Sequence, residues 1–317
     1  MIVLLDKQTG VTSFAALSAL KGSLGVRKIG HTGTLDSFAS GLLVVLTGNL
    51  TRLAPYILNL DKAYTATIAF GAETDTLDPL GDVTARAPLP TEEALRQALP
   101  RFTGPLMQEP PQYSALKVGG RRASDLARKG REVNLPPRPI TVYGLRLDGV
   151  TGDDTEAGQK TLESAVITVT CSSGTYIRAL ARDIARECGS RAHLSALRRT
   201  RVGGFSVEDA RGEPLEFGPA MAEKAGLGAL SLKREHRGDF FTGRPIAPEW
   251  FQSAVTDGVC AARMPRHVDA EFLPGKNSAV TDDANYAVFT GGAFVGVAER
   301  REGRFSYGFV ARGGPDG

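Results

Sequence analysis

Asp36 lies in a glycine-punctuated loop, GHTGTLDSFASG (residues 30 to 41), placed between a helical stretch and an apolar run. A short carboxylate held on a loop by a rigid scaffold is exposed to ligands. The neighbouring glycines let a bulky substrate approach the backbone closely. A turn or capping role is the alternative for an Asp before Ser. The loop is not a phosphate-cradling P-loop, because the lysine and spacing of that motif are absent. The acidic segment TDTLDPLGD (residues 74 to 82) misses the EF-hand spacing and its terminal glutamate, so it reads as a turn. His31 has no partner at ligand spacing, and with only four histidines in the chain a metal site is not expected.

Arginines form the second chemical signal. Arg178, Arg182 and Arg186 recur at i, i+4 and i+8, while Ile177, Leu180, Ala181, Ile184 and Cys188 form an apolar face of the same helix, which Gly189 ends. One helix thus carries a guanidinium stripe. Two basic islands stand out. From Lys117 to Arg138 there are seven Lys/Arg against Asp125 and Glu132, and from Arg178 to Arg201 seven arginines against Asp183 and Glu187. Each island is +5, so a total of +3 leaves the remainder at 3 − 10 = −7. Clustered cations on an acidic body suit a polyanion, because they release its counterions; a solvated helix face would look the same in sequence.

The elements that must hold these groups can be read in outline. Ile2 to Leu5 is a strand; Phe14, Leu17, Leu20 and Leu24 recur at helical spacing after Ser13, a plausible cap. LLVVL at residues 42 to 46 is apolar on both faces and belongs at a sheet centre. Tyr64, Ala66, Ile68 and Phe70 alternate along another strand, and residues 91 to 99 form a short helix stopped by Pro100. Strands follow at Ile140 to Leu147 and Ala165 to Cys171, joined across the hairpin segment TGDDTEAGQ. Residues 107 to 139, rich in Pro, Gly, Lys and Arg, read as an ordered insertion or mobile flap. From about Arg237, FFTGRPI, an irregular stretch around Pro265 and His267, and YAVFTGGAFVGVAERREGRFSYGFVAR read as short strands and turns.

Length and composition (317 residues, 42% hydrophobic) allow a real core and two domains. The opening apolar run is only four residues before Asp6, and no later run approaches a membrane span, so a cytoplasmic protein is expected. Cys171, Cys188 and Cys260 lie far apart without a Cys-x-x-Cys pair, which argues against a disulfide framework and structural zinc.

Six segments, LLDKQTGVTS, GHTGTLDSFASG, DKAYTATIAFG with TDTLDPLGD, PPQYSALKVGGRR, RPITVY and CSSGTYIRALARD, together resemble the bacterial tRNA pseudouridine-55 synthase (TruB) family over about residues 2 to 207. The resemblance implies an α+β pseudouridine synthase fold with a mixed, largely antiparallel central sheet over residues 1 to 232. The insertion at about 107 to 139 would contact RNA, and a small β-rich, PUA-like domain would follow over 237 to 317. It implies isomerisation of the T-loop uridine of tRNA by base flipping, with no cofactor or metal, no obligatory protein partner and a monomeric chain.

Residue by residue, Asp36 matches the catalytic nucleophile, a role an ionised carboxylate suits because it both attacks and leaves. Arg178 matches the arginine that pairs with it and favours its ionised form. Tyr64 matches the active-site tyrosine that stacks on the flipped base and assists loss of the C5 proton. Tyr176 and Leu197 match residues lining the uracil pocket, and His31 the residue that fills the vacated stack. Lys117, Arg121 and Arg122 are expected phosphate contacts. Ser37 and Gln8 stand where the family usually has proline. Rival readings are a non-catalytic RNA-binding factor, a glycosidase or nucleoside hydrolase, for which no acidic partner of Asp36 is evident, and a guide-RNA-dependent synthase.

Overall fold

The computed structural model describes residues 1–130, 133–154, 160–252 and 283–311, without the side chains of Lys117 and Arg122. The stretch around Pro265 and His267, and Cys260, lie outside the described residues. In chain order the elements used below are β1 (Ile2–Lys7), α1 (Ser13–Leu24), β2 (Ile29–His31), β3 (Ser40–Thr47), β4 (Lys62–Phe70) and α2 (Glu92–Ala98). There follow β5 (Gly104–Gln108), β6 (Arg138–Asp154), β7 (Lys160–Cys171), α3 (Ile177–Glu187), β8 (Ala192–Val202) and β9 (Pro214–Leu215). The last are β10 (Gly228–Leu232), α4 (Arg237–Thr242), β11 (Phe251–Gln252), β12 (Ala284–Thr290), β13 (Ala293–Arg301) and β14 (Arg304–Val310).

The chain forms two compact units. One comprises Met1–Leu35, Gly41–Leu60 and the described residues from Arg201 onward; the other comprises Asp36–Ser40 and Asp61–Thr200. In the first, β9, β1 and β3 lie side by side and antiparallel, with β2 also on β3. Strand β3 is apolar on both faces because both are covered. Leu42, Val44 and Leu46 enter one core cluster, while Leu43 and Val45 join Val3 beneath Leu17, Leu20 and Leu24 of α1. Phe14, expected on the apolar face of α1, is instead 78% exposed. Nor is Ser13 the cap. The Thr12 hydroxyl accepts from the Ala15 N–H at 3.1 Å, and Ser13 is buried, with its own bonds elsewhere.

The same unit holds the carboxyl-terminal sheet, ordered β11-β10-β12-β13-β14, in which β10 runs parallel to β12. The tight turns read from GG and EGR are there. Gly291 and Gly292, then Glu302 and Gly303, all have positive φ, the pattern of type I′ hairpins. FFTGRPI differs from its reading as strand and turn. Residues Arg237–Thr242 are helical and end at Gly243 with φ 79°, and Phe240 is buried among Leu232, Trp250 and Val288. A glycine in the left-handed conformation terminates a helix as readily as it marks a turn.

In the second unit the sheet order is β8-β4-β7-β6-β5, and its described pairings are antiparallel. Strands β6 and β7 reach much further than expected, to Asp154 and from Lys160. Thr91 caps α2, its hydroxyl accepting from the Ala94 N–H. Pro100 does not stop the chain's coiling but opens a 3₁₀ turn, Leu99–Phe102, where its missing N–H costs nothing. The stretch between β5 and β6 contains a two-residue hairpin, Lys117–Val118 with Arg121–Arg122, and a helical turn, Ala123–Ala127. Ala123, Val133 and Leu135 form its own small core.

Candidate active site

The loop bearing Asp36 is tied down on either side of that residue. The Ser13 hydroxyl donates to the Leu35 carbonyl at 2.8 Å and accepts from the Leu35 N–H at 2.9 Å, fixing the residue that precedes Asp36. After it, the Ala39 N–H donates to the Asp36 carbonyl at 3.2 Å. Hydrogen bonds thus hold the turn that contains Ser37. In the first motif, buried Lys7 donates from Nζ to the carbonyls of Gln8 and Val11, at 2.9 and 2.7 Å.

Arg178 enters from the first turn of α3. Its Nε lies 3.0 Å from Asp36 Oδ2; the arginine side chain is 6% exposed and that of Asp36 40%. Nη1 donates to the Thr76 carbonyl at 2.5 Å and Nη2 to the Tyr113 carbonyl at 2.9 Å. A second carboxylate, Asp78, places Oδ2 3.7 Å from Nη1 and is itself 9% exposed. With these partners the guanidinium is held inside the protein rather than on a solvent-facing stripe.

The rest of the stripe is committed too. Arg182 donates to the Glu109 carbonyl at 3.0 Å and to Asp183, and Arg186 makes a forked pair with Glu73 at 2.7 and 3.2 Å. Arg182 and Arg199 are buried. Three of the seven arginines of the second basic island, Arg178, Arg182 and Arg199, are therefore internal, whereas Arg186 remains exposed and Arg191, Arg198 and Arg201 are half-buried. On the first island Arg121, Arg128, Lys129 and Arg138 are exposed.

The acidic segment is a turn, as its composition indicates, but a purposeful one. Thr74 Oγ1 donates to the Asp78 carbonyl and accepts from the Asp78 N–H, while Asp78 Oδ1 accepts from Thr76 Oγ1 at 2.7 Å and from the Leu80 N–H at 3.0 Å. Leu77 has φ 59°, a strained conformation for a leucine, held by burial and by the Leu194 N–H on its carbonyl. This geometry aims the Thr76 carbonyl and Asp78 together at Arg178. No acidic partner of Asp36 is evident in the sequence; Asp78 meets the same arginine, a convergence that only the fold shows.

Tyr64 is buried on β4. Burial pushes its phenol up to about 12 even though the Arg199 guanidinium beside it, hydrogen-bonded to it, acts the other way; the charge of Asp36 adds to the rise. The hydroxyl is therefore neutral at physiological pH. Tyr176 precedes α3, and buried Gln108 clamps it. The Gln108 amide donates to the Tyr176 carbonyl at 3.1 Å and accepts from its N–H at 2.9 Å. Leu197 is buried on β8. Asp36, Tyr64, Arg178, Tyr176 and Leu197 all belong to one compact unit. His31 lies in the other, at the end of β2 opposite Val45 of β3. Arg121 is exposed on the hairpin of the insertion; the Lys117 and Arg122 side chains lie outside the described residues.

Among the described residues no cluster of His, Cys, Asp and Glu could hold a metal ion, and no helix is long and apolar enough to cross a membrane. A cleft of about 520 Å³ lined by Arg52, Tyr56, Glu299 and Arg301 belongs to the first unit and contains none of these site residues.

Residues 21–177 match the family described as TruB family pseudouridylate synthase (N terminal domain). A tRNA pseudouridine synthase B of Treponema denticola is 39% identical over 304 residues, covering 79% of this chain and 85% of the relative. The protein of the same name from Caulobacter vibrioides is 35% identical over 95% of this chain and 93% of its own, and that of Bordetella avium 47% identical over 73% and 91%. Among solved structures, an H/ACA RNP bound to a substrate RNA containing 2'-deoxyuridine aligns at TM-score 0.63 and 20% identity, covering 98% of this chain and 84% of that one. A Cbf5-Nop10-Gar1 complex aligns with the same TM-score and coverage at 22% identity, a likeness of fold.

Proposed function

The chain belongs to the TruB family of pseudouridylate synthases, and on that premise we propose that it converts the T-loop uridine of tRNA, position 55, to pseudouridine with Asp36 as nucleophile. The observation that carries this reading is the half-open Asp36 carboxylate with one oxygen held at 3.0 Å by buried Arg178. The guanidinium orients the carboxylate, and the exposed part of the side chain can meet a nucleoside that has left its stack.

In the reaction proposed, Asp36 attacks the flipped nucleoside, the bond from uracil N1 to the ribose breaks, the base turns, and C5 bonds to the ribose as Asp36 departs. The proton lost from C5 is balanced by one gained at N1, so the product is an isomer and no redox or hydrolytic partner enters. Neutral Tyr64 contributes as a ring against the base and as a hydrogen-bonding hydroxyl, rather than as a phenolate. Tyr176 and Leu197 line the uracil pocket and His31 takes the vacated place in the stack. Lys117, Arg121 and Arg122 meet phosphates from the insertion, and loop shape with stacking supplies recognition, since A-form RNA hides its major groove.

The chain acts in the cytoplasm as a monomer and needs no protein partner or guide RNA. The test is to incubate the purified chain with unmodified tRNA transcript and map pseudouridine along it. A single modification in the T loop is expected; unmodified tRNA, release of free uracil, or a requirement for added RNA or protein contradicts the reading.

A further inference from the structure

Strand β4 turns Lys62, Tyr64, Ala66 and Ile68 to one buried side, and Cys171 of β7 stands opposite Lys62, Val169 opposite Tyr64. The neighbouring strand β8 buries Leu197 and Arg199 two residues apart, hence on one face. An otherwise apolar face thus ends in a polar corner of Lys62, Cys171, Tyr64 and Arg199. Of these the reaction above employs Tyr64 alone.

Arg199 is 2% exposed, and burying a guanidinium at the end of an apolar face is expensive. Burial lowers its own proton affinity, and the neighbouring Tyr64 acts to restore it. A guanidinium has donors and no acceptor, so in its bond with Tyr64 the phenol oxygen must accept. The phenol's own proton must then point away from Arg199. That bond limits where the phenol O–H can aim.

We propose that Arg199 is a positioning residue for this reaction. It holds the Tyr64 hydroxyl as an acceptor and thereby sets the tyrosine ring and its O–H toward the base carried by Asp36. The proposal rests on the roles given above to Asp36 and Tyr64. An arginine suits the task because it stays charged and its planar fork holds direction, which a lysine ammonium does not.

A double-mutant cycle on single-turnover pseudouridine formation tests it. Arg199→Lys in the otherwise unchanged protein is expected to slow the reaction about tenfold or more while the Kd for tRNA stays within about twofold. In the Tyr64→Phe background, where no acceptor remains, the same substitution should change the residual rate by less than about twofold. Arg199→Gln, which keeps an N–H donor without the charge, is the second variant and should show the same loss of effect on Tyr64→Phe. Equal losses in both backgrounds, or a loss confined to tRNA binding, overturn the proposal. Asp36→Asn run in parallel separates the two levels: if that variant still turns over, the reading of the site fails, whereas if it is inactive and the cycle is additive, only the role of Arg199 fails.

Discussion

Nε of Arg178 lies 3.0 Å from Asp36 Oδ2 and Nη1 lies 3.7 Å from Asp78 Oδ2, so one buried cation serves an open carboxylate and a closed one. Its remaining donors reach the carbonyls of Thr76 and Tyr113, which join the acidic turn and the base of the insertion to the same group. Lysine keeps the charge but cannot span these partners. Arg178→Lys should therefore slow single-turnover pseudouridine formation by about 10²-fold or more, the size of losing a preorganised donor. It should also cost about 1–3 kcal/mol in a urea titration, because buried acceptors lose their partners. A variant with wild-type rate would show that the charge alone suffices.

Tyr64 is raised to about 12 by burial, so at any pH below about 10 its neutral form dominates. The ratio of wild-type to Tyr64→Phe rates should then stay flat between about pH 6 and pH 9. A ratio climbing about tenfold per pH unit would identify the phenolate as the working species.

Ser13 spends its hydroxyl on both backbone groups of Leu35. Ser13→Ala leaves a buried N–H and C=O without that partner next to Asp36, at an expected cost of about 1–3 kcal/mol. The turnover rate should fall more than tRNA affinity does, because the residue displaced adjoins Asp36, the proposed nucleophile. Unchanged turnover and unchanged melting would remove Ser13 from the account.

Lys62 is lowered from 10.5 to about 8, first by burial and next by the charge of Arg199. Between those values the unfolded chain binds a proton that the folded chain does not, so stability attributable to Lys62 rises with pH across that window. Below about pH 8 both states are protonated and the burial penalty is present in full. Lys62→Met should thus be more stable than wild type at pH 7, with the difference shrinking from about pH 8 to about pH 10.5. A difference independent of pH would mean that Lys62 is not held charged in a desolvated corner.

What could be read from residues alone was whatever local pattern or motif encodes. LLVVL announced a strand covered on both faces, the double glycine and EGR announced tight hairpins, and the six family segments paired Asp36 with Arg178 across most of the catalytic unit. Helical periodicity showed that Arg178, Arg182 and Arg186 share a face but not what the face meets. Three of their partners are the carbonyls of Thr76, Tyr113 and Glu109, which have no side-chain signature. Asp78 was legible only as a turn residue, because its approach to Arg178 depends on the left-handed backbone of Leu77. Arg199 was hidden in a basic count; buried and exposed arginines look alike until a strand's inner face is known. The helix Arg237–Thr242 was missed because two phenylalanines and a glycine are as compatible with a strand and turn as with a short capped helix.

The central claim is that the ionised carboxylate of Asp36 bonds to the nucleoside, and Asp36→Asn addresses it most directly, since the amide is nearly the same shape and can still meet Arg178's neighbourhood without being a nucleophile. Pseudouridine should be measured in tRNA transcript under single turnover, with binding measured on the same preparation. The account predicts tRNA affinity within a few-fold of wild type and a rate reduced by at least about 10³-fold. Pseudouridine accumulating at a rate near that of the unaltered protein would contradict it.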